Sequence, residues 1–150
     1  MNRFLTQYFS TNHQRLELFF IAYRRHLKSD RDFALALFNK FKRGMVQQMH
    51  WEEQFLIPAL SEAGPHNGRF AADKAKQEHQ QIRAQVEKIV ALQQQGLDSH
   101  QEDQVLEFML SDHFENDEFN FYPVCDRLFD TDTRIKLLMA MDNDSAALCG

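Results

Sequence analysis

Two eleven-residue stretches constrain this chain more than anything else in it. "QMHWEEQFLIP" fills residues 48 to 58 and "HFENDEFNFYP" fills residues 113 to 123, so the second follows the first at an offset of 65. Each carries an acidic pair four and five residues from its start, Glu52 and Glu53 in one and Asp117 and Glu118 in the other, and each ends on proline, Pro58 and Pro123. A weaker echo sets "NHQRLEL" around His13 against "EHQQIRA" around His79, at an offset of 66. A repeat of this kind means that one structural unit is used twice. Its first segment offers a histidine, and its second offers a carboxylate followed by a proline.

The units read as helices. The chain has 14 phenylalanines but only five glycines and three prolines in 150 residues, a composition that favours long uninterrupted helices over many short strands. The first helix is expected to start at Thr11, where Thr11 and Gln14 can form a capping box, and to end near Leu27. Asp30 is a good N-cap for a second helix from about Arg31 to Glu62. A third is expected from about Arg69 to Gln95 and a fourth from about His100 to Phe129, with "AGPHNG" and "GLDS" as turns. Short connections between long helices imply antiparallel neighbours, hence an all-α, up-down-up-down four-helix bundle in a single domain, residues 1–150. The tail "DTDTRIKLLMAM" adds a short fifth helix. Pro58 and Pro123 each remove an amide donor and crowd a carbonyl, which predicts a bend or an early helix end at both.

With about 100° between successive residues around a helix, Phe41, Met45, Gln48, Met49, Glu52, Leu56 and Ala59 share one face of the second helix. Leu106, Leu110, His113, Asp117, Phe121 and Val124 share one face of the fourth. His13 falls on the apolar stripe of the first helix and His79 on that of the third. A carboxylate aimed at a core is costly unless it is paired or meets a cation. Three histidines and two carboxylates converging from four helices are the donor set of a metal centre built in a bundle core. His50 fails this geometry: it lies about 160° around the helix from Glu52. His26, His66 and His100 fall near helix ends or in loops. The repeat makes position 48 the equivalent of His113, and a glutamine stands there.

Other classes of function are disfavoured. The formal net charge of -5 offers no electrostatic footprint for nucleic acid or an anionic membrane surface. No stretch approaches the roughly 20 apolar residues of a membrane span, and the N-terminus lacks a signal-peptide core, which points to a cytoplasmic protein. Cys125 and Cys149 have no Cys-x-x-Cys spacing and are expected as free thiols. A ferritin-like oxidase needs Glu-x-x-His pairs projecting into the core, and none does. Enzymatic turnover is not an expectation of the sequence.

"NHQRLEL", "EEQFLIP", "EHQQIR" and "HFENDEFNFYP", in this order on four helices, resemble the bacterial hemerythrin-like, or HHE cation-binding, domain family across about residues 8 to 130. The resemblance implies a four-helix bundle holding non-haem iron and responding to dioxygen, nitric oxide, iron or redox state. Carried over position by position, it assigns metal binding to His13, Glu52, His79, His113 and Asp117, with Gln48 at a position where the family has a histidine. Asp117 is also one methylene shorter than the glutamate commoner there. A glutamine carbonyl is a neutral, weak donor. The centre it implies is an asymmetric di-iron site, a one-metal site or a relic, and a sensor of this kind would act through a protein partner. The alternative is a metal-free regulatory or interaction module that kept the bundle and lost the metal.

Overall fold

The computed structural model describes residues 3–63 and 67–149, and the side chains of these except 67 and 145–149. Its elements among the described residues are all helical: α1 (Phe4–His26), α2 (Arg31–Trp51), α3 (Ile57–Ala63), α4 (Asn67–Gln94), α5 (His100–Asn116), α6 (Tyr122–Leu128) and α7 (Thr131–Cys149). Two wide π turns, Glu52–Leu56 and Asp117–Phe121, join α2 to α3 and α5 to α6, so two long helices are each continuous through their wide turn. His66, expected in a loop, lies outside the described residues.

Most ends follow local chemistry. Asp30 caps α2, its carboxylate accepting from the Phe33 N–H at 3.2 Å. Gly96, at φ 69°, closes α4 in a Schellman turn, Leu97 N–H bonding to Leu92 O and Gly96 N–H to Gln93 O. The first helix departs from expectation. It begins at Phe4, and Thr11 lies inside it with its hydroxyl donating to Gln7 O. The reason is a cap brought from the far end of the chain: the Asp126 carboxylate accepts from the backbone N–H groups of Leu5 and Thr6 at 2.9 and 3.0 Å and from the Thr6 hydroxyl at 2.7 Å. The C-terminal helix α7, expected as a short fifth helix, is also longer than expected, 19 residues. It covers the end of the bundle, with Leu137 and Met141 in the core and the Trp51 indole N–H donating to Asp144 at 3.0 Å.

The prolines end neither helix. Instead the turn before each is widened: Ile57 N–H bonds to Glu52 O and Tyr122 N–H to Asp117 O, five residues back rather than four. The extra residue shifts the buried face beyond it. An unbroken α-helix would bury Ala59 and Val124, yet both are only half-buried, and Ile57, Leu60, Tyr122 and Cys125 are buried instead. The shift is the same in both copies, at the same distance from the carboxylate, so the repeat read in the sequence is also a repeat in backbone geometry.

Two apolar clusters fill the bundle. One gathers Leu5, Phe9, Trp51, Leu56, Leu60, Ala75, Phe121 and Tyr122, and the other Leu16, Phe20, Phe38, Met45, Met49, Ile82, Leu110 and Phe114. On every long helix the change from one cluster to the other occurs at the polar positions singled out above. His13 lies between Phe9 and Leu16, His79 between Ala75 and Ile82, Gln48 and Glu52 between Met45 and Leu56, and His113 and Asp117 between Leu110 and Phe121. A polar layer is thus held between two apolar ones. Among the described residues no helix is long and apolar enough to cross a membrane.

Candidate metal centre

Each inward polar residue is delivered by its own stripe. His13, Gln48, Glu52, His79, His113 and Asp117 are all within 1 % of full burial, a depth at which polar atoms normally find partners. Here several do not. Both Glu52 oxygens, His79 Nε2, His113 Nε2 and Asp117 Oδ1 have no hydrogen-bond partner. One donor atom from each of Glu52, His79 and His113 lies within 4.8 Å of the others. His79 Nε2 is 3.7 Å from Glu52 Oε1, and His113 Nε2 is 3.0 Å from Asp117 Oδ2 without hydrogen-bond alignment.

At the other edge of the layer the polar side chains meet a tyrosine. The Tyr122 hydroxyl stands 3.1 Å from His13 Nε2, 3.3 Å from Gln48 Nε2 and 3.4 Å from Asp117 Oδ2. The orientation of Gln48 follows from a chain of partners. Arg15 donates to Asn12 Oδ1 at 3.2 Å, which turns the Asn12 amide nitrogen toward Gln48 Oε1 at 2.6 Å. The Gln48 carbonyl is thereby occupied, and its NH2 group faces the tyrosine.

The histidines are oriented from outside. Nδ1 of His13 lies 3.1 Å from Glu118, Nδ1 of His79 2.9 Å from Glu53, and Nδ1 of His113 2.9 Å from Glu78. Arg83 holds Glu53 in turn at 2.6 Å. A carboxylate on Nδ1 keeps a proton there and aims Nε2 inward, the arrangement that fixes and strengthens imidazole ligands. For His79 and His113 that nitrogen is unpartnered; for His13 it faces the Tyr122 hydroxyl.

Burial and crowding perturb the titrations. Burial, reinforced by the Glu52 charge, pushes the Asp117 carboxyl up to about 7. Burial acts upward on Glu52 too, but His79, His113 and His13 outweigh it and the net shift is downward. Burial lowers His13 to about 4 against the pull of Glu52 and Glu118. It acts downward on His113 as well, where Asp117 and Glu78 overcome it and raise the imidazole well above its ordinary value. Tyr122 is pushed well up, by burial first and by Asp117 and Glu52 next, so it stays a neutral phenol.

The unpartnered set fits a divalent transition-metal cation: imidazole nitrogens suit zinc or iron, and two carboxylates balance the charge. His13 and Gln48 share the layer, but the partners of their inward atoms are protein groups. His50 is on the far face, exposed, 3.7 Å from Asp144, and His26 and His100 are exposed. Cys125 is a buried free thiol, and the Cys149 side chain lies outside the described residues. The residues that sequence reasoning missed are Tyr122 and the outer carboxylates Glu53 and Glu78. Tyr122 sits about 140° from Asp117 on a straight α-helix, and only the wide turn brings it under the carboxylate. Glu53 had a signal, since it and Glu118 occupy one repeat position, each directly after an inward carboxylate; Glu78, whose counterpart is Asn12, had none.

No curated protein and no solved structure matched the chain. The family model described as the hemerythrin HHE cation binding domain matches residues 5–125, which contain every residue of the polar layer. That match covers most of the chain, and the chain belongs to the hemerythrin HHE cation-binding domain family.

Proposed function

We propose that this protein holds non-haem iron in the polar layer of an up-down-up-down bundle, as one domain spanning residues 1–150, with metal-site residues drawn from His13, Gln48, Glu52, His79, His113 and Asp117. The carrying observation is the set of five buried donor atoms without partners, converging from three helical segments. An unsatisfied buried polar group costs about 1–3 kcal/mol, and more when charged. A bundle that tolerates five of them together is organised around a cation. Glu52 and Asp117 would neutralise it, and His79 and His113 would supply nitrogen, held in their tautomers by Glu53 and Glu78. The apolar clusters above and below keep water from the layer.

Bound iron would supply a redox couple and a coordination position for dioxygen or nitric oxide, and this reading makes the protein a binder or sensor of such a ligand in the cytoplasm, acting through a protein partner. Metal analysis of protein purified from iron-supplemented cells, with anaerobic uptake of ferrous ion, tests the proposal. Iron well above trace is the expected result. Absence of iron, manganese and zinc together with no ferrous uptake would overturn it and favour the metal-free module, the reading that Gln48 supports by turning an amide NH2 group inward.

A further inference from the structure

The repeat allows the two edges of the polar layer to be compared atom by atom. At offsets of 65 and 66, Asp117 corresponds to Glu52, His113 to Gln48, His79 to His13, and Glu78 to Asn12. The outer contacts correspond as well: Glu53 reaches His79 as Glu118 reaches His13, and Glu78 reaches His113 as Asn12 reaches Gln48. One edge, formed by Glu52, His79 and His113, leaves its inward atoms unpartnered. At the equivalent edge, formed by Asp117, His13 and Gln48, one atom of each, Asp117 Oδ2, His13 Nε2 and Gln48 Nε2, converges on the Tyr122 hydroxyl at 3.4, 3.1 and 3.3 Å, and only Asp117 Oδ1 is unpartnered. The residue equivalent to Tyr122 in the first copy is Ile57, which carries no polar atom.

We propose that this chain holds one cation rather than two, between Glu52, His79, His113 and Asp117, and that the Tyr122 hydroxyl, with Gln48 and Asn12, is built into the place of the second. The inference rests on the metal-holding reading above and specifies its stoichiometry. A site merely losing its metal through Gln48 would leave the inward atoms of His13 and Gln48 orphaned. Instead the Tyr122 hydroxyl has one proton and two acceptors before it, His13 Nε2 at 3.1 Å and Asp117 Oδ2 at 3.4 Å; with the His13 proton held on Nδ1 by Glu118 the shorter contact takes it, Gln48 Nε2 donates to the same oxygen, and Asp117 is left to the cation. The Gln48 carbonyl is tied to Asn12, itself fixed by Arg15. None of the unpartnered buried side-chain atoms belongs to His13, Gln48 or Tyr122. Asn12 suits Gln48 as Glu78 suits His113: an amide needs a donor for its carbonyl, and an imidazole needs an acceptor for its N–H. In this arrangement His13 is a positioning residue for the tyrosine and not a metal ligand.

The test is anaerobic titration of the full chain with ferrous ion alone, counting metal per chain, for the parent, His13→Gln, His79→Gln and the triple variant Asn12→Glu/Gln48→His/Tyr122→Phe. The parent is expected to bind one equivalent. His13→Gln should keep that equivalent with affinity changed less than about tenfold, whereas His79→Gln should exceed the loss of about 10- to 100-fold typical when only an outer partner of a ligand is removed. The triple variant should approach two equivalents. Two equivalents in the parent, or a loss in His13→Gln equal to that in His79→Gln, would overturn the inference while leaving iron binding standing. No uptake by the parent would overturn the metal-holding reading itself and this inference with it. A folded triple variant that remains at one equivalent would overturn the role given to Tyr122. If the triple variant does not fold, the contrast between His13→Gln and His79→Gln decides alone.

Discussion

Two of the places where this bundle buries carboxylates behave differently. Near the turn between α4 and α5, Asp103 is fully buried and accepts from the Tyr23 hydroxyl at 2.9 Å and the Ser99 hydroxyl at 2.9 Å, while Gln93 donates to Tyr23 at 3.1 Å. That cluster is closed by its own hydrogen bonds. Burial raises the Asp103 carboxyl against the pull of Ser99 and Tyr23, and pushes Tyr23 up to about 12. In the polar layer Glu52 and Asp117 are equally deep, but three of their four oxygens have no partner. Depth alone therefore does not mark a functional carboxylate. The mark is an inward atom that the protein leaves without a partner.

The strongest way to break this contrast is to remove one carboxylate from each place. Glu52→Ala should lose most bound metal, whereas Asp103→Asn should keep it and lower stability by about 1–3 kcal/mol through the broken network. Metal analysis and thermal melts of both variants read this, and metal loss in Asp103→Asn would erase the distinction. A subtler version uses Glu52→Leu in chelator. Replacing a buried charge by an apolar group of similar volume is often neutral or stabilising by about 1–4 kcal/mol, so this variant should melt no lower than the chelated parent. Next in size, adding ferrous ion anaerobically at 100 times its dissociation constant should stabilise the parent by about 2.7 kcal/mol, seen as a rise in Tm that Glu52→Ala does not show.

A smaller effect comes from protons. Cation binding requires ionised Asp117, whose carboxyl lies near 7, and an imidazole free of its Nε2 proton at His113, whose value is raised. Both hold protons more tightly than usual in the metal-free protein, and binding must expel them. Affinity should therefore rise with pH from 6 to 8, by up to about tenfold per unit for each proton released, and a flat profile in metal titrations would contradict the assignment. The smallest expected effect is none: His50→Ala, on the exposed face, should bind metal as the parent does.

Much of this was legible in the sequence, for reasons that also explain the gaps. Glu52, His113 and Asp117 could be placed inward because α-helical phase upstream of each wide turn follows from the spacing of Phe41, Met45 and Met49, or of Leu106 and Leu110, and His13 and His79 because their helices carry unbroken stripes through Phe9 and Leu16, or Ala75 and Ile82. The same rule failed at Ala59 and Val124, where one extra residue in the turn moved the buried face on to Leu60 and Cys125. The start of α1 was misplaced because its cap, Asp126, lies 120 residues along the chain from Thr6, beyond the reach of any local signal. Tyr122 was missed for the first reason, and with it the difference between the two edges of the layer.

The paired wide turns also have a consequence for how the chain tolerates changes in its length. Each absorbs one residue more than an α-helix would use between the same packed neighbours. Deleting an exposed residue inside one, Gln54 or Phe119, lets the turn tighten to ordinary helix while the segments on either side keep their faces toward the core. A deletion between two and three turns upstream, at Arg43, has no such slack to draw on. It would rotate the residues before it by about 100° relative to all that follow, setting the aromatic face of α2 at odds with the carboxylate it leads to.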